Sequence, residues 1–226
     1  MIENALTEQQ AFALQALADC VRQILPAELP FFEAREFGDG YVDPTEYGMY
    51  NVQGGNYVNF LQGLLQRYLP GVAASIYAAA QMAYYDRNWE AIGFPPPFSL
   101  GIRTAEYLHY KRTGKLGTHT DTGSVFSISL ALSESHTYGG GYFQLETNDA
   151  LFKVPRRSAI VFFSETHHSV TEITEGERKV FVVELWEDQD APVGLPRPST
   201  PQFEEHKQQR RPFLVRVGAD TGNAEL

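Results

Sequence analysis

The run Phe94-Pro95-Pro96-Pro97 divides this chain into two unlike halves. Three successive prolines remove backbone donors and fix φ, so neither a helix nor a central strand continues through them. Before the run, apolar residues recur at steps of three and four, the spacing of one helical face. Thr7 and Gln10 have the spacing of a capping box, and Leu14, Leu17, Ala18, Val21, Ile24 and Leu25 follow until Pro26 stops the helix. Tyr57, Phe60, Leu61, Leu64, Leu65 and Tyr68 predict a second helix, broken at Pro70. A third is expected over 71–86, with Val72, Ile76, Ala80 and Ala83 turned inward. Residues 26–56 are rich in Gly, Pro and aromatics without a period, and read as loop with at most one short strand.

After the run the chain becomes short β-rich stretches separated by turn signals, at about 101–111, 124–132, 141–146, 151–154, 159–164 and 178–186. That rhythm is expected of an antiparallel sandwich or jelly roll. The fold expected is α+β, mainly β: one domain over 1–226, with helical support over about 1–100, a jelly-roll core over about 101–188 and a polar, Pro-rich extension over 189–226. Within that extension only 213–217 has the composition of a strand.

Composition narrows the function classes. With 18 Lys+Arg against 28 Asp+Glu the net charge is -10, and no basic run offsets it, so neither nucleic acid nor an anionic membrane is an expected partner. Cys20 is the single cysteine, which excludes an internal disulfide and a Cys-rich zinc site. The N-terminus MIENALTEQQ lacks a basic segment followed by an apolar stretch, and no window approaches 18 apolar residues. The expectation is a soluble protein of a reducing compartment, the cytoplasm.

Chemistry concentrates around the histidines at 109, 119, 136, 167, 168 and 206. In His119-Thr120-Asp121 an imidazole and a carboxylate lie two residues apart, and on extended chain both side chains take the same face. By itself this is a weak signal, since roughly 0.3 such triplets arise by chance in a chain of this composition. The apolar run 159–163 then ends in Ser164-Glu165-Thr166-His167-His168, which delivers a further imidazole at a neighbouring strand end. Two histidines and one carboxylate on one face of a metal, with positions left open, form the facial triad of non-haem Fe(II) oxygenases. Ten residues beyond His168 stands Arg178, sharing a strand face with Val180, Val182 and Glu184. A guanidinium facing into a β core needs an anion, either Glu184 or a bound carboxylate.

These elements together resemble the 2-oxoglutarate/Fe(II) dioxygenases, in particular the prolyl and lysyl hydroxylase-like branch. The resemblance rests on His119-x-Asp121, on His168-x-Val170-x-x-Ile173-x-x-Gly176-x-Arg178, and on Tyr110-x-x-x-Gly114 before them. It extends to Gly139-Gly140-Gly141-Tyr142-Phe143, like the family's glycine hairpin, and to 153–158, like its next strand and turn. It spans about 105–188 and implies a double-stranded β-helix. It further implies that His119, Asp121 and His168 bind Fe(II), that Arg178 holds the distal carboxylate of 2-oxoglutarate, and that Tyr110 hydrogen-bonds the same carboxylate. Val180 stands where the family often has Ser, which leaves Tyr110 as the hydroxyl for that task. Ser129 is a further candidate for contact with cosubstrate or substrate. The spacing to Arg178 favours His168 over His167 as the ligand.

The implied reaction consumes 2-oxoglutarate and O₂, releases succinate and CO₂ and hydroxylates a substrate C–H, with ascorbate as activator. A carboxylate at Asp121 argues against halogenation. A free amino acid, peptidyl Pro or Lys, and a small natural-product scaffold all satisfy such a site, and nothing in the sequence selects an oligomeric state. Two rivals remain: a cupin-like metal-dependent hydrolase or isomerase using the same triad without 2-oxoglutarate, and a non-catalytic jelly-roll binding module. Arg178 separates the first reading from both.

Overall fold

The computed structural model describes residues 1–23, 49–52, 56–61, 64–146 and 150–187. The expected helical turn at Ile24 and Leu25, most of the 26–56 loop, the 189–226 extension and its candidate strand lie outside the described residues.

Helix α1 spans Glu8–Gln23 and begins with the capping box that the sequence predicts. The Thr7 N–H donates to Gln10 Oε1 at 2.9 Å, and the Gln10 N–H donates to Thr7 Oγ1 at 3.2 Å. The Gln10 amide does a second job, donating to the Gly71 carbonyl and to Ser75 Oγ, which ties α1 to α3 (Pro70–Asp86). Val72, Ile76, Ala80 and Ala83 form the buried face of α3.

The expected second helix is a clear departure. Asn56–Phe60 is a strand, β2, and only Leu64–Tyr68 is helical, as the short α2. The apolar steps at 57, 60 and 61 admit either reading, and pairing decides. β2 is hydrogen-bonded to β1 (Met49–Val52) on one side and β3 (Gly101–Tyr110) on the other. Val58 and Asn59 are both buried, on opposite faces, and Asn59 Nδ2 donates to the Ala18 carbonyl at 3.0 Å. Pro70 starts a helix rather than ending one, since its missing N–H is no loss in a first turn.

The large sheet is antiparallel, in the order β1-β2-β3-β12-β5-β9, with β5 at Phe126–Ala131, β9 at Ala159–Phe163 and β12 at Arg178–Trp186. A smaller antiparallel sheet contains β4 (Leu116–His119), β10 (His168–Val170), β7 (Phe143–Leu145) and β8 (Leu151–Phe152), in that order. The glycine hairpin strand β6 (Gly139–Gly140) pairs with β11 (Ile173–Glu175). This is a jelly-roll architecture, α+β and mainly β, with the helices against one sheet.

Strand alternation then assigns the faces. Phe126, Ile128, Leu130, Phe181, Val183 and Leu185 pack against the helices in one core. Val180 and Ile160 turn the other way and join Phe143 and Val170 in a second core between the sheets. On that inner face the large sheet also carries polar residues, Ser127, Ser129, Arg178 and Glu184, all buried. No helix among the described residues is long and apolar enough to cross a membrane.

Candidate metal centre

Three short pieces of chain converge at one end of the space between the sheets. β4 and β10 are neighbours, and their register sets His119 directly opposite His168. The two imidazole centroids are 4.2 Å apart. Beyond β4 the chain crosses toward the large sheet, where the Asp121 N–H donates to the Ser164 carbonyl at 2.8 Å. The Asp121 carboxylate then lies between the rings: Oδ1 is 3.6 Å from His119 Nε2, and Oδ2 is 3.6 Å from His168 Nε2. One ligand atom from each residue falls within 4.8 Å of the others. Neighbouring donors on a single ion with bonds of about 2.1 Å are about 3 Å apart, so little adjustment is required.

The surroundings prepare these atoms as ligands. His119 Nδ1 lies 2.8 Å from the Gly117 carbonyl, and His168 Nδ1 lies 2.9 Å from the Thr166 carbonyl. A carbonyl only accepts, so each Nδ1 carries a proton and each Nε2 is the nitrogen turned toward Asp121. Burial, with the neighbouring His119 as a second cause, lowers the His168 pKa to about 4, so that imidazole is neutral at physiological pH. Ser127 Oγ donates to Asp121 Oδ2 at 2.5 Å. Its single proton is thereby used, so the 2.9 Å contact with Ser164 Oγ is a bond donated by Ser164.

A buried cation stands on the same inner face of the large sheet. Tyr110 ends β3 and stands opposite Arg178 in the β3–β12 register. The Arg178 guanidinium carbon is 5.1 Å from the Tyr110 ring centroid. Both side chains are buried, and Arg178 Nη1 has no hydrogen-bond partner among the described residues. Burial pushes the Tyr110 phenol up to about 12, with the Arg178 charge acting in the opposite sense, so it remains an O–H donor. The Asp121 carboxylate also raises it, which puts the phenol within electrostatic reach of that residue. A buried cation with an idle donor is suited to accept a carboxylate.

Other predicted residues fall as follows. His167 is exposed, with Nδ1 3.7 Å from Glu146 on the far side of the turn, and takes no part in the cluster. Ser129 is buried on the inner face of β5, opposite Val182. Glu184 does not pair with Arg178; its partners are Arg103 and Ser124. Ser127, Ser164 and Arg103 escaped the sequence reading. Arg103 and Ser164 reach the Asp121 segment from 19 and 43 positions away, Ser127 from only six, and only Ser164 carried a signal, as the residue that ends the 159–163 run.

No family model matches the chain, and no curated protein matches its sequence. Solved structures do. An oxidoreductase of the 2OG-Fe(II) oxygenase family from Burkholderia pseudomallei superposes with a TM-score of 0.52 at 16% identity, covering 83% of this chain and 82% of that one. A truncated form of the viral collagen prolyl hydroxylase from Paramecium Bursaria Chlorella virus-1 gives 0.51 at 14% identity, covering 81% and 86%. A prolyl-4-hydroxylase from Pseudomonas putida gives 0.50 at 14% identity, covering 81% and 89%. At these identities the likeness is one of fold: the chain has the double-stranded β-helix architecture of the 2OG-Fe(II) oxygenases, prolyl hydroxylases among them.

Proposed function

We propose that this chain is an Fe(II)- and 2-oxoglutarate-dependent dioxygenase that hydroxylates a C–H bond of an amino-acid-type, peptidyl or small-molecule substrate, with release of succinate and CO₂. The observation that carries this reading is the buried, unpartnered Arg178 Nη1 together with the His119/Asp121/His168 cluster. A hydrolase needs the cluster but has no use for an anion clamp there. The catalytic unit is one domain, with the N-terminal helices backing the sheet that carries the clamp.

In this reading His119, Asp121 and His168 hold Fe(II). Arg178 grips the distal carboxylate of 2-oxoglutarate through two parallel hydrogen bonds, which fix direction as well as position. Tyr110 donates its phenol proton to the same carboxylate, and Ser129 lines the pocket. When bound, iron and 2-oxoglutarate supply O₂ activation and the oxidation of the substrate C–H. The chain contributes two imidazoles whose Nδ1 atoms are held by backbone carbonyls, Asp121 held by Ser127, and an apolar cluster that includes Leu108 and Val180 on the inner side of the large sheet. Ascorbate would serve to keep a bound iron reduced, and the cytoplasm would supply a matching environment for Fe(II) and for the exposed thiol of Cys20.

The decisive experiment is anaerobic calorimetry with 2-oxoglutarate on the iron-loaded protein. It is followed by aerobic succinate assay, with a substrate screen read by mass spectrometry for products one oxygen atom heavier. Saturable 2-oxoglutarate binding and succinate release are expected. Tight Zn(II) with hydrolytic turnover and no 2-oxoglutarate binding would overturn the reading in favour of a cupin-like hydrolase.

A second expectation concerns Gly141, whose φ of +63° is a left-handed conformation. A Cβ there would meet Ile173 Cδ1 and lie 3.0 Å from Arg178 Cδ. Gly141→Ala is therefore expected to displace the clamp and raise the KM for 2-oxoglutarate roughly 10- to 100-fold, with bound iron unchanged.

A further inference from the structure

Behind the metal carboxylate lies a buried ion pair that none of the proposed ligand contacts uses. β12 and β3 pair residue for residue until Glu184 opposes Thr104 and the next residue, Leu185, opposes Ile102. Arg103 is thus an extra residue on β3, a bulge, and bulges beside functional sites serve to re-aim a side chain. Arg103 is aimed inward. It lies 3.5 Å from Glu184, and the side chains are only 6% and 2% exposed. Its guanidinium carbon also stands 5.7 Å from the Trp186 ring centroid.

The contacts of this pair run to the segment that follows Asp121. Arg103 Nη1 donates to the Thr122 carbonyl at 2.7 Å and to Ser124 Oγ at 3.0 Å. Ser124 Oγ donates in turn to Glu184 Oε2 at 2.6 Å, and the Ser124 N–H closes the turn onto the Asp121 carbonyl at 3.2 Å. The tight turn Asp121–Ser124 is held from below by a charged network spanning β3, β5's entry and β12. A buried ion pair is weak evidence for stability, since apolar residues of similar size often do as well. Its geometry here accounts for orientation.

We infer that Arg103 and Glu184 are positioning residues for the metal carboxylate, setting the Asp121–Ser124 turn so that Asp121 faces His119 and His168. The inference rests on the metal-site reading above. It expects metal affinity and fold stability to separate, which a merely structural pair would not produce.

The test uses Co(II) as probe, titrated into metal-free protein and followed by visible absorption, with melting temperature measured on the same samples. Arg103→Met/Glu184→Met removes both charges together and is expected to melt within about 5 °C of wild type. Its Co(II) affinity is expected to fall on the order of 10-fold or more, the usual scale for groups that orient metal ligands. Ser124→Ala, which keeps the ion pair and removes only the hydroxyl link, should show a smaller loss in the same direction. Glu184→Gln, which still accepts from Ser124, should lie between wild type and the double variant. A folded double variant that binds Co(II) within twofold of wild type overturns the inference. If the double variant does not fold, undiminished affinity in Ser124→Ala overturns it instead. If wild type binds no Co(II), or Asp121→Ala binds as well as wild type, the metal-site reading itself fails.

Discussion

His168→Ala is expected to lose metal and with it all coupled turnover, while His167→Ala keeps its metal and most of its activity. The two residues are adjacent, and on extended chain adjacent side chains take opposite sides. His168 is buried, opposite His119 in the register and 3.6 Å from the Asp121 carboxylate. His167 points to solvent and toward Glu146. Removing one of three ligands from a site with open positions leaves too few donors to hold the ion against solvent, so the loss should exceed about 100-fold in metal affinity. The check is bound iron after desalting and succinate release for both single variants. A dead His167→Ala beside an active His168→Ala would mean that the register of β10 is off by one residue.

Arg178→Ala is expected to raise the KM for 2-oxoglutarate strongly while iron stays bound. Loss of a charge-assisted bidentate contact in a buried setting costs about 2–4 kcal/mol, which corresponds to roughly 30- to 1000-fold. Arg178→Lys should recover part of this, because a point charge retains attraction without the planar fork. Steady-state kinetics in 2-oxoglutarate and calorimetry on the metal-loaded variants give the comparison. Unchanged affinity in Arg178→Ala would put the clamp elsewhere. Because Val180 offers no hydroxyl, Tyr110→Phe should produce a smaller loss in the same direction, on the order of 10-fold.

The parts of this molecule that act through local spacing were legible before any coordinates. His119 and Asp121 are two residues apart, His168 and Arg178 are ten apart, and the run over 178–186 alternates strongly enough to declare its faces. What stayed hidden has a physical reason in each case. Residues 57–61 carry an apolar pattern compatible with helix or strand, and only the ladders to β1 and β3 select the strand. β4 and β10 are four and three residues long, too short to display a period, though they carry both histidines. Ser127 reveals its role only when folding brings it beneath Asp121. Arg103 is separated from Ser124 by 21 positions, and Ser124 from Glu184 by 60, and its inward aim depends on a bulge that no composition signals.

The ligand atoms of this site do not belong to one sheet. Both imidazoles come from the small sheet, through β4 and β10, whereas Asp121 is anchored by Ser127 and Ser164 and the clamp residues Tyr110 and Arg178 belong to the large one. An ion held by all three ligands is therefore a cross-brace between the two walls of the barrel, and a molecule touching both ion and clamp is a second brace in parallel. Binding and wall-to-wall rigidity become a single thermodynamic quantity. Every occupant that prefers the closed walls raises the work of separating them by RT ln(1 + [L]/Kd), about 2.7 kcal/mol at a hundredfold excess over Kd. Thermal shift thus becomes a ligand-finding instrument for this protein. At equal concentration, molecules that span ion and clamp will register more strongly to the extent that both contacts lower their Kd.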